Sequence, residues 1–213
     1  MVVTYNRSKG KTAGGGVVMA QQQSVVTPER FASGMTWEEY LNAIQRNRDK
    51  FEYNYRETQL SDEDVRALKE LVALPHGPAR VLALGEDWCP DVFRGLPVMA
   101  KMAQAAGMEL RIFPRDQNLD IMNEFLNQGK YQSIPTFVFY TRDHRYICHW
   151  IERPALANQE MHLLEGIRRL REEDPERARQ EYEAFQQGPV WARWRQETVR
   201  EIIQLLKEKC GLS

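Results

Sequence analysis

Of the three cysteines in this 213-residue chain, one stands where a thiol can do chemistry. Cys89 lies in Gly85-Glu86-Asp87-Trp88-Cys89-Pro90-Asp91-Val92, between an apolar run and an amphipathic stretch. Pro90 suits the first position of a helix, which sets Cys89 at or next to the N-cap. There the free backbone N–H groups and the positive end of the helix dipole stabilise a thiolate, the nucleophile of disulfide exchange. Asp91 pulls the other way, since a carboxylate beside a thiol raises its pKa. Glu86 and Asp87 are two further acids next to the thiol in sequence.

The flanking elements hold that thiol in place. Val81-Leu82-Ala83-Leu84, bounded by Pro78 and Gly85, has the pattern of a strand buried on both faces. Residues 90 to 106 carry Val92, Leu96, Met99, Met102 and Ala103 at three- and four-residue spacings and stop at Gly107, so a helix follows the cysteine. A strand over 109 to 113, a helix from Asn118 to Gln128 and a hairpin of strands 136 to 140 and 145 to 151 complete the middle of the chain.

The order of four features resembles the thioredoxin-like superfamily. Trp88-Cys89-Pro90-Asp91 is similar to the Trp-Cys-Gly-Pro opening of a thioredoxin site, and Pro97 falls where thioredoxins kink the following helix. Asp116-Gln117-Asn118 is similar to a thioredoxin turn, and Ile134-Pro135-Thr136 to the cis-proline loop that leads into a strand. The resemblance implies an α/β fold, a thioredoxin-like central mixed sheet flanked by helices, with extra helices at both ends. It is nearest to bacterial thioredoxin-family proteins whose site reads Glu-Asp-Trp-Cys followed by a small residue and Asp.

The resemblance also implies roles. Cys89 is the catalytic candidate, and Trp88, Pro90, Asp91, Ile134, Pro135, Glu86 and Asp87 shape its surroundings. Trp88 would shield one side of the sulfur, and the Ile134 backbone would pair with an extended substrate chain. Two departures bear on the chemistry. Val92 stands where a Cys-X-X-Cys protein carries its resolving thiol, and Ala83 where thioredoxins carry a buried acid. Cys148, in a strand leading away, and Cys210, near the end of the chain, do not replace the missing thiol. One expectation is therefore a monothiol redox protein whose partner is a disulfide-bearing protein or a low-molecular-weight thiol. The other is a redox-inactive thioredoxin-fold binding or scaffold module. A peroxidase is disfavoured by the lack of a Thr-X-X-Cys arrangement.

Composition narrows the partners. A formal net charge of −1 gives no support to nucleic-acid binding, and residues 165 to 209 balance acids and bases as a solvated helical face does. An odd number of cysteines is not a disulfide framework. No apolar run approaches the roughly 18 residues of a membrane span, and no signal-peptide core is present, so a cytoplasmic protein is expected. Neither a cofactor nor a metal is implied: Cys148 and His149 point to opposite faces of a strand, and no second close pair completes a tetrahedral set.

The chain divides into a disordered tail over 1–30, an N-terminal helical extension over 31–78, a thioredoxin-like domain over 79–155 and a C-terminal helical extension over 156–213 packed on it. In the N-terminal extension, Thr36-Trp37-Glu38-Glu39 opens a helix over 37 to 53, and Ser61-Asp62-Glu63-Asp64 opens a second. In the C-terminal one, Asp174-Pro175 and Gly188-Pro189 mark breaks, and Trp191, Trp194, Thr198, Ile202 and Leu205 mark the inner face of the last helix.

Overall fold

The computed structural model describes residues 24 to 212. Four strands form one mixed sheet in the order β2-β1-β3-β4: β1 Arg80–Gly85, β2 Glu109–Pro114, β3 Thr136–Tyr140 and β4 Tyr146–Ile151. Parallel neighbours need a crossover, and helix α5, Pro90–Ala106, carries the chain from β1 to β2. β3 runs antiparallel to β1 and to β4, across the short turn predicted at 141 to 144. Val81 to Leu84 and Phe137 to Phe139 are fully buried, which is why both central strands read as unbroken apolar runs. Gly107, in the left-handed conformation with φ 76°, ends α5 where the glycine was read as a stop.

Among the described residues, four helices precede the sheet: α1 Pro28–Ala32, α2 Trp37–Ala43, α3 Arg48–Glu57 and α4 Asp62–Ala73. Both capping boxes form, with Thr36 and Ser61 accepting from Glu39 and Asp64 and those carboxylates accepting in return. After α6, Leu119–Met122, and the hairpin come α7 Ala155–Gln159, α8 Glu165–Glu173, α9 Pro175–Gln187 and α10 Pro189–Cys210. Asp174 caps α9, and Gly211 closes α10.

Helix α5 is the common floor of the outer layers, since α3, α4 and α10 all pack on it. Phe93 of α5 stands with its ring 6.3 Å from Phe51 of α3 and 6.2 Å from Trp191 of α10, so one aromatic chain joins the two terminal extensions. Asn54 of α3 adds a polar lock: its Oδ1 accepts from Trp191 Nε1 at 3.0 Å and from Arg195 Nη1 at 2.9 Å, all buried. On the outer edge of β2, Ile112 exchanges both backbone hydrogen bonds with Met35, at 2.9 and 2.8 Å.

Three local expectations differ from what forms. The helix expected over 37 to 53 is two helices, because Asp87 Oδ2 accepts from the Gln45 and Arg46 amides at 2.9 and 3.0 Å. Asn47, left-handed at φ 56°, then donates through Nδ2 to the Asp87 carbonyl and restarts the helix in a new direction. The helix expected from Asn118 to Gln128 stops at Met122; Asn127 and Tyr131 pair instead across a turn with Gln128 and Gly129 both at positive φ. Of the tail expected to be disordered, residues 1–23 lie outside the described residues, while Val26 is buried and Thr27 accepts from the Arg30 amide to start α1. The signal for that helix was a Thr-Pro-Glu N-cap with proline at its first position.

Candidate active site around Cys89

Cys89 is the N-cap of α5, in extended conformation, and its carbonyl accepts from the Val92 and Phe93 amides at 3.1 Å each. Its thiol donates to the Ile134 carbonyl at 3.8 Å, and the Ile134–Pro135 peptide bond is cis. The loop reaches this close because residue 95 has no side chain: a Cβ there would stand 3.2 Å from Pro135 Cγ. Cys89, Ile134 and Pro135, expected in one site from segments 45 residues apart, do meet.

Cys89 is 9% exposed, and opposing effects act on the protonation of its thiol. Burial pushes it up most. The Val92 and Asp91 backbone N–H groups and Arg153 pull it down, Asp91 adds to the rise, and the net shift is upward. Desolvation therefore outweighs the helix terminus and holds the Cys89 thiol above its ordinary value.

Asp91 is not a loose acid beside the sulfur. Its two oxygens pair with Arg94 Nη2 at 2.6 Å and Arg153 Nη2 at 2.7 Å. Arg94, only 1% exposed, lies between Asp91 and the rings of Trp191 and Trp194, 4.9 and 5.4 Å from their centroids. Neither arginine was singled out by sequence; Arg94 one turn from Asp91, at the i,i+3 spacing of a helical ion pair, was the available signal. Pro90 occupies the first helical position as expected.

The other acids are committed elsewhere. Asp87 holds the α2–α3 junction, and Glu86 Oε1 accepts from the Asp116 amide at 2.7 Å. Burial pushes the Glu86 pKa up. Trp88 is 44% exposed beneath the Arg115 guanidinium, 5.4 Å from its ring centre. Tyr40, which no local pattern marks out, is buried; that burial, and after it the nearby acids Glu86 and Asp87, raise its pKa, and its hydroxyl has no hydrogen-bond partner among the described residues.

Val92, at the position of a resolving thiol, is fully buried against Gly85, where a Cβ would come within 2.7 Å of its Cγ1. Cys148 sits opposite Phe139, toward the far end of β3 from Thr136, and burial, with Cys210 adding, pushes it up to about 12. Ala83 is buried in β1 with no acid in its place. Among the described residues, no group of three or more His, Cys, Asp or Glu side chains is placed to hold a metal ion. No helix among them is long and apolar enough to cross a membrane.

A thiol capping the crossover helix, facing a cis-proline loop at the end of a β2-β1-β3-β4 mixed sheet, defines a thioredoxin-like fold with added terminal helices. The chain belongs to the thioredoxin family, whose model matches residues 34–177. A crystal structure of a protein of unknown function from Pseudomonas aeruginosa is similar, with TM-score 0.60 and 15% identity over 84% of this chain and 95% of that one. A crystal structure of an HIV epitope scaffold is similar at TM-score 0.58 and 14% identity, over 84% and 96% of the two chains. At these identities the likeness is one of fold. No curated protein matches the chain.

Proposed function

We propose that this chain is a one-cysteine thiol protein that captures disulfide-bearing partners through Cys89. The observation that carries the reading is the Cys89 thiol, set at a helix N-cap and directed at the Ile134 carbonyl. In the step, the Cys89 thiolate attacks one sulfur of a disulfide; the new Cys89 S–S bond forms as the old one breaks, and the departing thiolate takes up a proton. With Val92 in the resolving position the mixed disulfide persists until an external thiol, a protein thiol or a small one, attacks it. The raised pKa makes Cys89 slow to attack at neutral pH and, once bonded, a poor leaving group, so the mixed disulfide forms slowly and is released slowly at the Cys89 sulfur. The same raised pKa favours a second reading, a redox-inactive module that holds partners without a covalent bond.

One experiment separates them. A Cys148→Ala/Cys210→Ser variant is treated with glutathione disulfide, and with iodoacetamide in parallel, across pH 6 to 11. The expected result is a dithiothreitol-reversible adduct on Cys89, with an alkylation midpoint above the ordinary thiol value of about 8.5. An alkylating but disulfide-inert Cys89, at a pH where the unfolded chain forms the adduct, leaves the non-covalent module.

A further inference from the structure

Next to the candidate site, a cleft of about 240 Å³ opens between the start of α5 and the C-terminal helices. Its charged lining is Asp91, Arg94, Arg153, Arg168 and Arg171, four guanidinium groups against one carboxylate. Asp91 serves Arg94 and Arg153, and Glu152 also pairs with Arg153. Even so, the Nε of Arg94 and the Nε of Arg153 are buried without a hydrogen-bond acceptor, and Arg94 Nη2 meets Asp91 only as an ion pair. Buried donors left without acceptors are rare in folded proteins, because each gives up its bonds to water for nothing in return, and the loss is greater for a charged group.

The rim repeats the pattern. Arg168 and Arg171, one turn apart on α8, have no acidic partner within ion-pair distance among the described residues, whereas their neighbour Arg169 pairs with Glu165 at 3.7 Å. The α8 arginine facing away from the cleft is neutralised and the two facing it are not. The walls between are apolar: Leu164 and Ile167 below the rim, with Tyr182 across from them. Guanidinium forks match the oxygens of a carboxylate or a phosphate. The volume falls below the roughly 300–1,000 Å³ of sites for drug-sized ligands, so the occupant is a small molecule and not a peptide.

We propose that this cleft binds a small organic acid, with its carboxylate or phosphate group held by Arg153, Arg168 and Arg171, the buried Arg94 adding its charge from behind, and its apolar body against Leu164, Ile167 and Tyr182. Cys89 is not part of the lining, so the site stands or falls apart from thiol chemistry. Pro90 and Asp91 are, so an occupant would lie within two residues of the sulfur along the chain.

Tryptophan fluorescence reads the site, because Trp191 and Trp194 are among the residues that line it. Benzoate, phenyl phosphate and neutral benzamide are titrated against the full chain and against a Cys89→Ser variant at constant ionic strength. Saturable binding of either anion by both proteins, at least tenfold tighter than benzamide, is expected; whichever anion binds better identifies the group recognised. Arg168→Ala/Arg171→Ala should weaken it at least tenfold with an unchanged thermal midpoint, both side chains being exposed. Equal binding of benzamide, equal binding by the double variant, or a response that sodium chloride reproduces at the same ionic strength would overturn the site. Retained binding by the Cys89→Ser variant keeps it even if Cys89 forms no mixed disulfide.

Discussion

At the scale of single residues, the chemistry open to Cys89 depends on the side chain one helical turn beyond it. Val92 sits three residues on, at the first turn of α5, and its amide donates to the Cys89 carbonyl. That places its side chain where a second thiol would reach the first. Val92→Cys is therefore expected to form an intramolecular disulfide with Cys89 on mild oxidation and to gain turnover in insulin reduction, with mass spectrometry and precipitation rate as readouts. Failure of the pair to close would show that the helix start differs from a dithiol site in more than its sequence. Cys89, its N-cap position and the proline loop were legible because they rest on local spacing. Its protonation was not, because desolvation depends on what the rest of the chain lays over the sulfur.

At the scale of elements, Asp87 shows how a side chain can override a local pattern. Residues 37 to 53 carry helical periodicity with no proline or glycine, yet the backbone turns at Ile44 because two amides find a better acceptor outside the helix. Asp87→Ala removes that acceptor. The Gln45 and Arg46 amides should then lose hydrogen-exchange protection while the sheet amides keep theirs, at a cost of about 1 kcal/mol in urea unfolding. Unchanged exchange at those two amides would mean the turn is held by Asn47 alone. Helix ends marked by capping boxes, by Asp174-Pro175 and by Gly107 were all readable, since each is encoded within a few residues. The break at 44 to 47 and the early end of α6 were not, because their partners lie elsewhere in sequence or in an unmarked turn.

At the scale of the molecule, the two terminal extensions meet over α5 and share one polar lock. No sequence pattern singles out Asn54, and only the assembled structure gives it two buried donors from α10. Asn54→Ala leaves both donors unpaired, one of them charged, and should lower stability by about 3 kcal/mol, visible as a shifted urea midpoint with an unchanged slope. A loss below about 1 kcal/mol would mean that the aromatic contacts alone join the extensions. The arginine cleft is likewise a product of assembly, since its sides come from α5, the end of β4 and the C-terminal helices. The N-terminal extension has one more effect, at the opposite border of the sheet. A bare outer strand offers its amides and carbonyls to any passing strand, the usual seed of aggregation. Here Met35 occupies both backbone groups of Ile112, and Pro114 has no N–H to offer. Proteolytic loss of the chain up to residue 40 would reopen that border, so the solubility of the folded protein rests in part on a clip that the candidate chemistry never touches.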